Sequence, residues 1–312
     1  MIALIDHCYG ILPAGNRKRA IARLEKAGFL ISQSSLRHKG GKDSIFIHFT
    51  GSYLELIEVV DSREFETCCT EAEQRASRFG YPYALVAATA EVQSCAEILK
   101  NLLLNASNVR YIVPQLEGWV EPAWAILDVP DTETPGCTLQ IIQYLLRQKA
   151  WAEATCGSNG IYGIGGFYFC TNTPVEDAKC WYRLLFSMDS CSEQNKQTVL
   201  IGRQQLYWLS PAEFQLYFGI ELDLDESGGA RLGAVKLLTS DVRVSLKSLQ
   251  NAGFIVESDE LRSFRTRFDI DLGYAFHVEQ GAGVSDYASD INRRLLACNP
   301  IKSDSRGLDE RI

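Results

Sequence analysis

The stretch Leu24-Glu25-Lys26-Ala27-Gly28-Phe29 returns as Leu249-Gln250-Asn251-Ala252-Gly253-Phe254 in this chain of 312 residues. The same offset of 225 carries Leu36-Arg37 onto Leu261-Arg262. A shared register across fourteen residues marks a duplicated unit. In the first copy Ala20, Ile21, Leu24 and Ala27 recur at helical spacing until Gly28 ends the helix. The repeat is thus a helix that turns sharply into a strand.

Extending the unit in both directions predicts the order β-α-β-β-β, and the same order can be read four times. The first copy runs from ALIDHCYGIL (3–12) through a helix over 15–26 to FLISQSS, SIFIHF and YLELIEVV, the last two joined by Thr50-Gly51-Ser52. RHKGGK (37–42) reads as a glycine-rich loop. The second copy comprises YALVAATA, a helix in EVQSCAEILKNLLL, AWAILDV and CTLQIIQYLL. The third comprises IGGFYFC, a helix in VEDAKCWYRLLF, TVLIGR, LYWLS and EFQLYFGIEL, the last read as a strand. The fourth comprises LGAVKLLT, a helix in DVRVSLKSLQNA, GFIVES, RFDI and YAFHVEQ. The fold class expected is α+β, with residues 1–150 and 158–281 as two domains. The glycine-rich CGSNGIYG marks the boundary. Residues 282–312 form a polar tail with one helix in YASDINRRLLA.

Hydrophobic content of 46% gives ample core for two domains of this size. No apolar stretch approaches the 18 or so residues of a membrane span, and the start lacks a basic segment and a cleavage site. A soluble, cytoplasmic protein is expected. Ten cysteines show no Cys-x-x-Cys pair, as reduced, mostly buried thiols would. A net charge of −8 argues against a nucleic-acid partner. Residues 1–45 nevertheless carry +5, leaving −13 for the remainder. NRKRAIARLEK has the pattern of a solvated helix face, whereas the RHKGGK cations stand beside glycines that let a backbone approach an anion.

IDHCYGIL, LEKAGF, RHKGG and GSYLELIEV fall in the order and spacing of the vicinal oxygen chelate superfamily. Within it, this chain resembles the glyoxalase-like domain proteins, and SNGIYGIGGFYF resembles the opening of that family's second half. The resemblance implies paired βαβββ modules, each pair curling into a half-open barrel around a ligand, and hence two barrels here. It also implies a divalent metal held by a first-strand His and a last-strand carboxylate of each module.

His7 and Glu55 match those positions in the first module. The second module offers Ala84 and Gln140, the third Gly166 and Gln215, the fourth Ala234 and Phe276. Two strong ligands and an amide hold a cation poorly, so no cofactor is expected, and any metal would rest on His7 and Glu55. A lone His in an apolar strand can equally be a hydrogen-bonded core residue. A carboxylate between Leu54 and Leu56 is costly to bury unpaired, and desolvation would raise its pKa. Glu55 is thus the candidate general base, or the holder of a cationic ligand group, with His7 as its partner. Arg37, His38, Lys39, Lys42, His48 and Gln140 are the candidate substrate-binding residues. His38 resembles the family's His before its glycine-rich turn, with Ser44 where an Asn is common. His277 reads as structural, and the five tryptophans as core, with one or two free to wall a pocket for a flat ligand.

The function expected is a lyase- or isomerase-like enzyme of the glyoxalase-like kind. It would act on a small, anionic organic molecule by general acid/base chemistry. The alternatives are a binder that sequesters a small molecule and an accessory subunit without such a site. A small-molecule ligand is the partner expected, with a homodimer open and neither nucleic acid nor membrane implied.

Overall fold

The structure, a computed structural model, describes residues 2–32, 35–113, 120–145, 155–186, 197–224 and 229–298. Trp119, Trp151 and the charged tail beyond Pro300 lie outside the described residues. Two mixed sheets carry the fold, and neither closes into a barrel.

The first sheet begins with β1 (Ile2–Ile11), α1 (Arg17–Lys26), β2 (Leu30–Ile31), β3 (Leu36–His38), β4 (Lys42–Phe49) and β5 (Ser52–Val59). After α2 (Ser62–Cys68) and α3 (Glu71–Phe79) come β6 (Pro82–Thr89), α4 (Val92–Asn101), β7 (Arg110–Ile112), β8 (Trp124–Val129) and β9 (Thr138–Tyr144). The second sheet uses β10 (Ile161–Thr171), α5 (Pro174–Phe186), β11 (Thr198–Ile201) and β12 (Gln204–Leu209). It continues through α6 (Pro211–Phe218), β13 (Ala230–Thr239), α7 (Val242–Asn251), β14 (Val256–Glu260), β15 (Ser263–Thr266) and β16 (Ala275–Gln280). In every module the last strand lies parallel to the first: β5 on β1, β9 on β6, β12 on β10, β16 on β13. Antiparallel pairing of β1 with β6 and of β10 with β13 joins the modules in sequential pairs.

The duplicated corners are built alike. Gly28 and Gly253 adopt φ of 81° and 87°, and the Phe29 and Phe254 amides reach back to the Leu24 and Leu249 carbonyls at 3.1 and 3.0 Å. Both phenylalanines flank Phe276, at ring centroid distances of 5.8 and 5.9 Å, so the two copies share one core. Past the corner the register is lost. Leu36 lies in β3, whereas Leu261 occupies the turn between β14 and β15.

Three local readings change. Arg37 and His38 are not loop residues but belong to β3, with only the turn at Lys39-Gly40-Gly41 before β4. Residues 62–79, unassigned above, form two helices, and the signal was present: Thr70 and Glu73 make a reciprocal capping box. EFQLYFGIEL begins inside a helix. Ser210 and Glu213 form another capping box with Pro211 in the first turn, so α6 replaces the expected strand. Gln215 therefore lies on a helix, and β12 is the third module's last strand.

Phe214 and Phe218 of α6 are fully buried against Tyr168, Ala234 and Ala275, filling the concave face of the second sheet. The stretch read as a polar tail carries α8 (Val284–Cys298), whose Tyr287 and Ile291 are buried with Leu4 and Tyr162 from both sheets. The cations of α1 are likewise structural in part. Arg17 pairs with Asp43 and Glu58, while Arg19 and Arg23 pair with Asp271 and Asp269 across the two halves. The eight cysteines whose side chains are described are all free, and Cys8, Cys95, Cys137 and Cys170 are buried.

Candidate functional site

The concave face of the first sheet encloses a cavity of about 1110 Å³, walled by β1, β3 to β9 and α3. Strand alternation puts His7, Tyr9, Phe46, Tyr53, Glu55 and Gln140 on that face. One departure from alternation shapes the site. Ile5 pairs with Ala87 and His7 with Val86, so β1 spends two residues where β6 spends one, and Asp6 is the extra residue of a bulge. The bulge brings Asp6 beside its neighbour: Asp6 Oδ2 is 2.8 Å from His7 Nδ1 and accepts from the Tyr144 hydroxyl at 2.6 Å. On the other side of the ring, the Tyr53 hydroxyl lies 3.2 Å from His7 Nε2, and the rings stack at 4.1 Å. The fully buried Asp6 carboxylate is placed to accept a proton carried on Nδ1, an arrangement that leaves Nε2 facing Tyr53.

Glu55 lies across from Tyr9 on one side and Phe46 on the other. Its Oε1 accepts from Ser44 at 2.6 Å and lies 3.1 Å from His38 Nε2, a contact out of line for a hydrogen bond. Burial, the largest influence, pushes this carboxyl upward. His38, the charge of His7 and the Ser44 hydroxyl outweigh it, so the pKa is lowered from its usual value rather than raised as burial alone predicts.

The other candidates divide. His38, Lys39, Lys42 and Gln140 line the cavity. Lys42 is ion-paired to Glu73, and Gln140 donates to Asp128 Oδ1 at 2.8 Å. Arg37 is exposed, pairs with Glu64 and lies outside the lining. His48 shares the face of Phe46 but is exposed beyond the cavity. Asp6, Tyr53, Tyr83, Glu73 and Tyr144 escaped the sequence reading. Their aromatic rings or acids carried no motif, and only the Thr70–Glu73 spacing gave a local sign of where one would lie. Of the tryptophans, Trp181 and Trp208 are core, while Trp124 walls the cavity.

The second sheet has a matching bulge, with Gly165 and Gly166 where the first has Asp6 and His7. By register, Tyr207 takes the place of Glu55, and His277, not Phe276, stands at the ligand-equivalent position of the fourth module. His277 is thus an inward-facing partner of Tyr168, while Lys236 bonds Glu279 at 2.7 Å and the Tyr207 hydroxyl at 3.2 Å.

Residues 5–185 match the glyoxalase-like domain family, more than half of the chain. The chain belongs to that family. Glyoxalase-like folds of the vicinal oxygen chelate superfamily are also what its structure resembles. A mutant 4-hydroxymandelate synthase from Streptomyces coelicolor aligns with a TM-score of 0.55 at 14% identity, over 94% of this chain and 100% of that one. A hypothetical protein from Staphylococcus aureus gives 0.54 at 11% identity, over 89% and 98%. A xylose isomerase-like TIM barrel/4-hydroxyphenylpyruvate dioxygenase fusion protein gives 0.53 at 10% identity, over 95% of this chain and 52% of that one. No curated protein matches. The divalent metal implied by the superfamily does not fit the donors present. His7 is engaged at both nitrogens, the second-module position is Ala84, and the Gln140 amide is turned to Asp128. Among the described residues, no three His, Cys, Asp or Glu side chains converge to hold a cation.

Proposed function

We propose that this glyoxalase-like protein is an enzyme that binds a small organic acid in the N-terminal cavity. It acts by general acid/base chemistry, without a tightly held metal. The observation that carries the reading is the chain Tyr144–Asp6–His7–Tyr53 along the cavity wall. Asp6 fixes the imidazole tautomer and stabilises the imidazolium. His7 Nε2 takes a proton from the ligand and returns it, and the Tyr53 hydroxyl, its resting partner, can hand over or receive that proton. Glu55 is held ionised and is a poor base for this purpose, so its role becomes electrostatic. Lys39, which makes no ion pair among the described residues, and His38 attract the acid group. The aromatic wall of Tyr9, Phe46 and Trp124 suits a flat ligand, and one structural relative carries an aromatic hydroxy acid in its name.

The test is proton NMR of hydroxy- and oxo-carboxylates with the protein in D2O. Turnover or proton exchange should fall about a hundredfold or more in His7→Asn and survive dialysis against a chelator. Stoichiometric divalent metal that resists dialysis and is lost in Glu55→Gln would overturn the metal-free mechanism. A sequestering role is the second reading. It is favoured by a cavity of about 1110 Å³, just above the usual range for a small-molecule site, and it requires binding without turnover.

A further inference from the structure

Most of the charges around the cavity are paired with a neighbouring ion. Lys42 is ion-paired to Glu73, Arg110 to Asp128, and Asp131 to Arg75. Lys39 and the exposed Glu71 stand at the mouth. That leaves Glu55, 7% exposed, in the wall of the cavity. Ser44 and His38 both address its Oε1. Its Oε2 makes no hydrogen bond among the described residues and is open to the cavity. On either side the strand neighbours are aromatic, Tyr9 and Phe46, with Tyr53 stacked on His7 and edge-on to Phe46 at 5.4 Å.

A carboxylate oxygen that faces an open cavity is free to accept from a ligand, and aromatic faces attract cations and not anions. We infer that the ligand of this cavity carries a protonated amine, seated between Glu55 Oε2 and the rings of Tyr9, Phe46 and Tyr53. The inference rests on the reading of this cavity as the ligand site and adds a second charged group to the organic acid proposed above. An acid lacking the amine would be drawn by Lys39 and His38 but would leave Glu55 Oε2 without a ligand partner. A ligand with both groups satisfies Lys39 and Glu55 at once.

Three matched probes separate the possibilities by calorimetric titration at neutral pH: phenylalanine, 2-phenylethylamine and 3-phenylpropionate. Phenylalanine should bind the wild-type protein about tenfold or more tightly than 3-phenylpropionate. Glu55→Gln should weaken both amines by about tenfold or more and leave 3-phenylpropionate unchanged or tighter. The wild-type comparison stands by itself if the variant does not fold. Binding of 3-phenylpropionate as tight as that of phenylalanine would overturn the amine and leave the organic-acid reading intact. Binding of 2-phenylethylamine as tight as that of phenylalanine would support the amine and sink the acid. Absence of binding by all three probes, or amine binding indifferent to Glu55→Gln, would also overturn the inference.

Discussion

The side-chain amide of Gln204, in the second sheet, grips the backbone of Ile5 in the first: Ile5 N–H donates to its Oε1 and its Nε2 donates to the Ile5 carbonyl, each at 2.7 Å. Ile5 immediately precedes the bulged Asp6. The C-terminal half thus holds in place the kink that sets Asp6 beside His7. Replacing Gln204 with Leu keeps the volume and strands two buried backbone groups. It should destabilise the protein by about 2–4 kcal/mol in denaturant titration and move the NMR resonances of the His7 ring, whereas Gln204→Leu would leave those resonances unaltered if the clamp served folding alone.

Acid should weaken the C-terminal half through His277. Burial, with the nearby cations of Lys236 and Arg265, pushes this imidazole down to about 4 from 6.5, against the opposing pull of Glu279. Between those values the unfolded chain binds a proton that the folded one refuses, so stability declines as pH falls from 6.5 toward 4, by at most about 3 kcal/mol. Unfolding curves across that range should flatten in His277→Gln, and the His277 ring signal should titrate near 4.

Glu73 acts at lower pH. Burial pushes its carboxyl up, but Lys42, the Thr70 amide and Tyr83 overcome that and lower it below 4.5. A depressed folded pKa means stability present above the unfolded value and lost as pH falls through the folded one. Glu73→Gln should be less stable than wild type at pH 7, with the difference shrinking below about pH 4.

The Gly28 and Gly253 corners have a third counterpart at the end of α4, where Leu103 adopts φ of 58° and the Leu104 amide reaches the Leu99 carbonyl at 3.0 Å. Leu103→Gly relieves a left-handed side chain that is 91% exposed. It should raise stability by about 1 kcal/mol, read as a rise of a few degrees in Tm. Alanine should cost more at Gly28 than at Gly253. A Cβ at Gly28 would meet the backbone nitrogen of Asn159 at 2.9 Å, whereas the space at Gly253 is open.

The repeated module, its Ala-Gly-Phe corners and, with the family resemblance, the inward direction of His7 and Glu55 were legible in the sequence, whereas which modules pair was not. The corners and the strand faces follow from backbone geometry acting over a few residues: a glycine that adopts positive φ without strain, and a strand period of two. The same local rules would have revealed α3 and α6 through Thr70–Glu73 and Ser210–Glu213. They failed for α6 because a run of apolar residues suits a buried strand and a buried helix alike.

What the sequence by itself determined is the repeated unit and the faces of its strands. Only the tertiary structure decided that Asp6 stands with His7, that Tyr144 joins them from 138 residues away, and that α6 fills the second sheet's concave face while the first stays open. A bulge changes which way a side chain points only through its pairing with another strand, and a concave face is filled or left empty by segments distant in the chain. The lowered pKa of Glu55 belongs to the same class. Burial alone predicts the opposite sign, and the outcome depends on Ser44, His38 and His7, brought around one carboxylate by the folding of three strands.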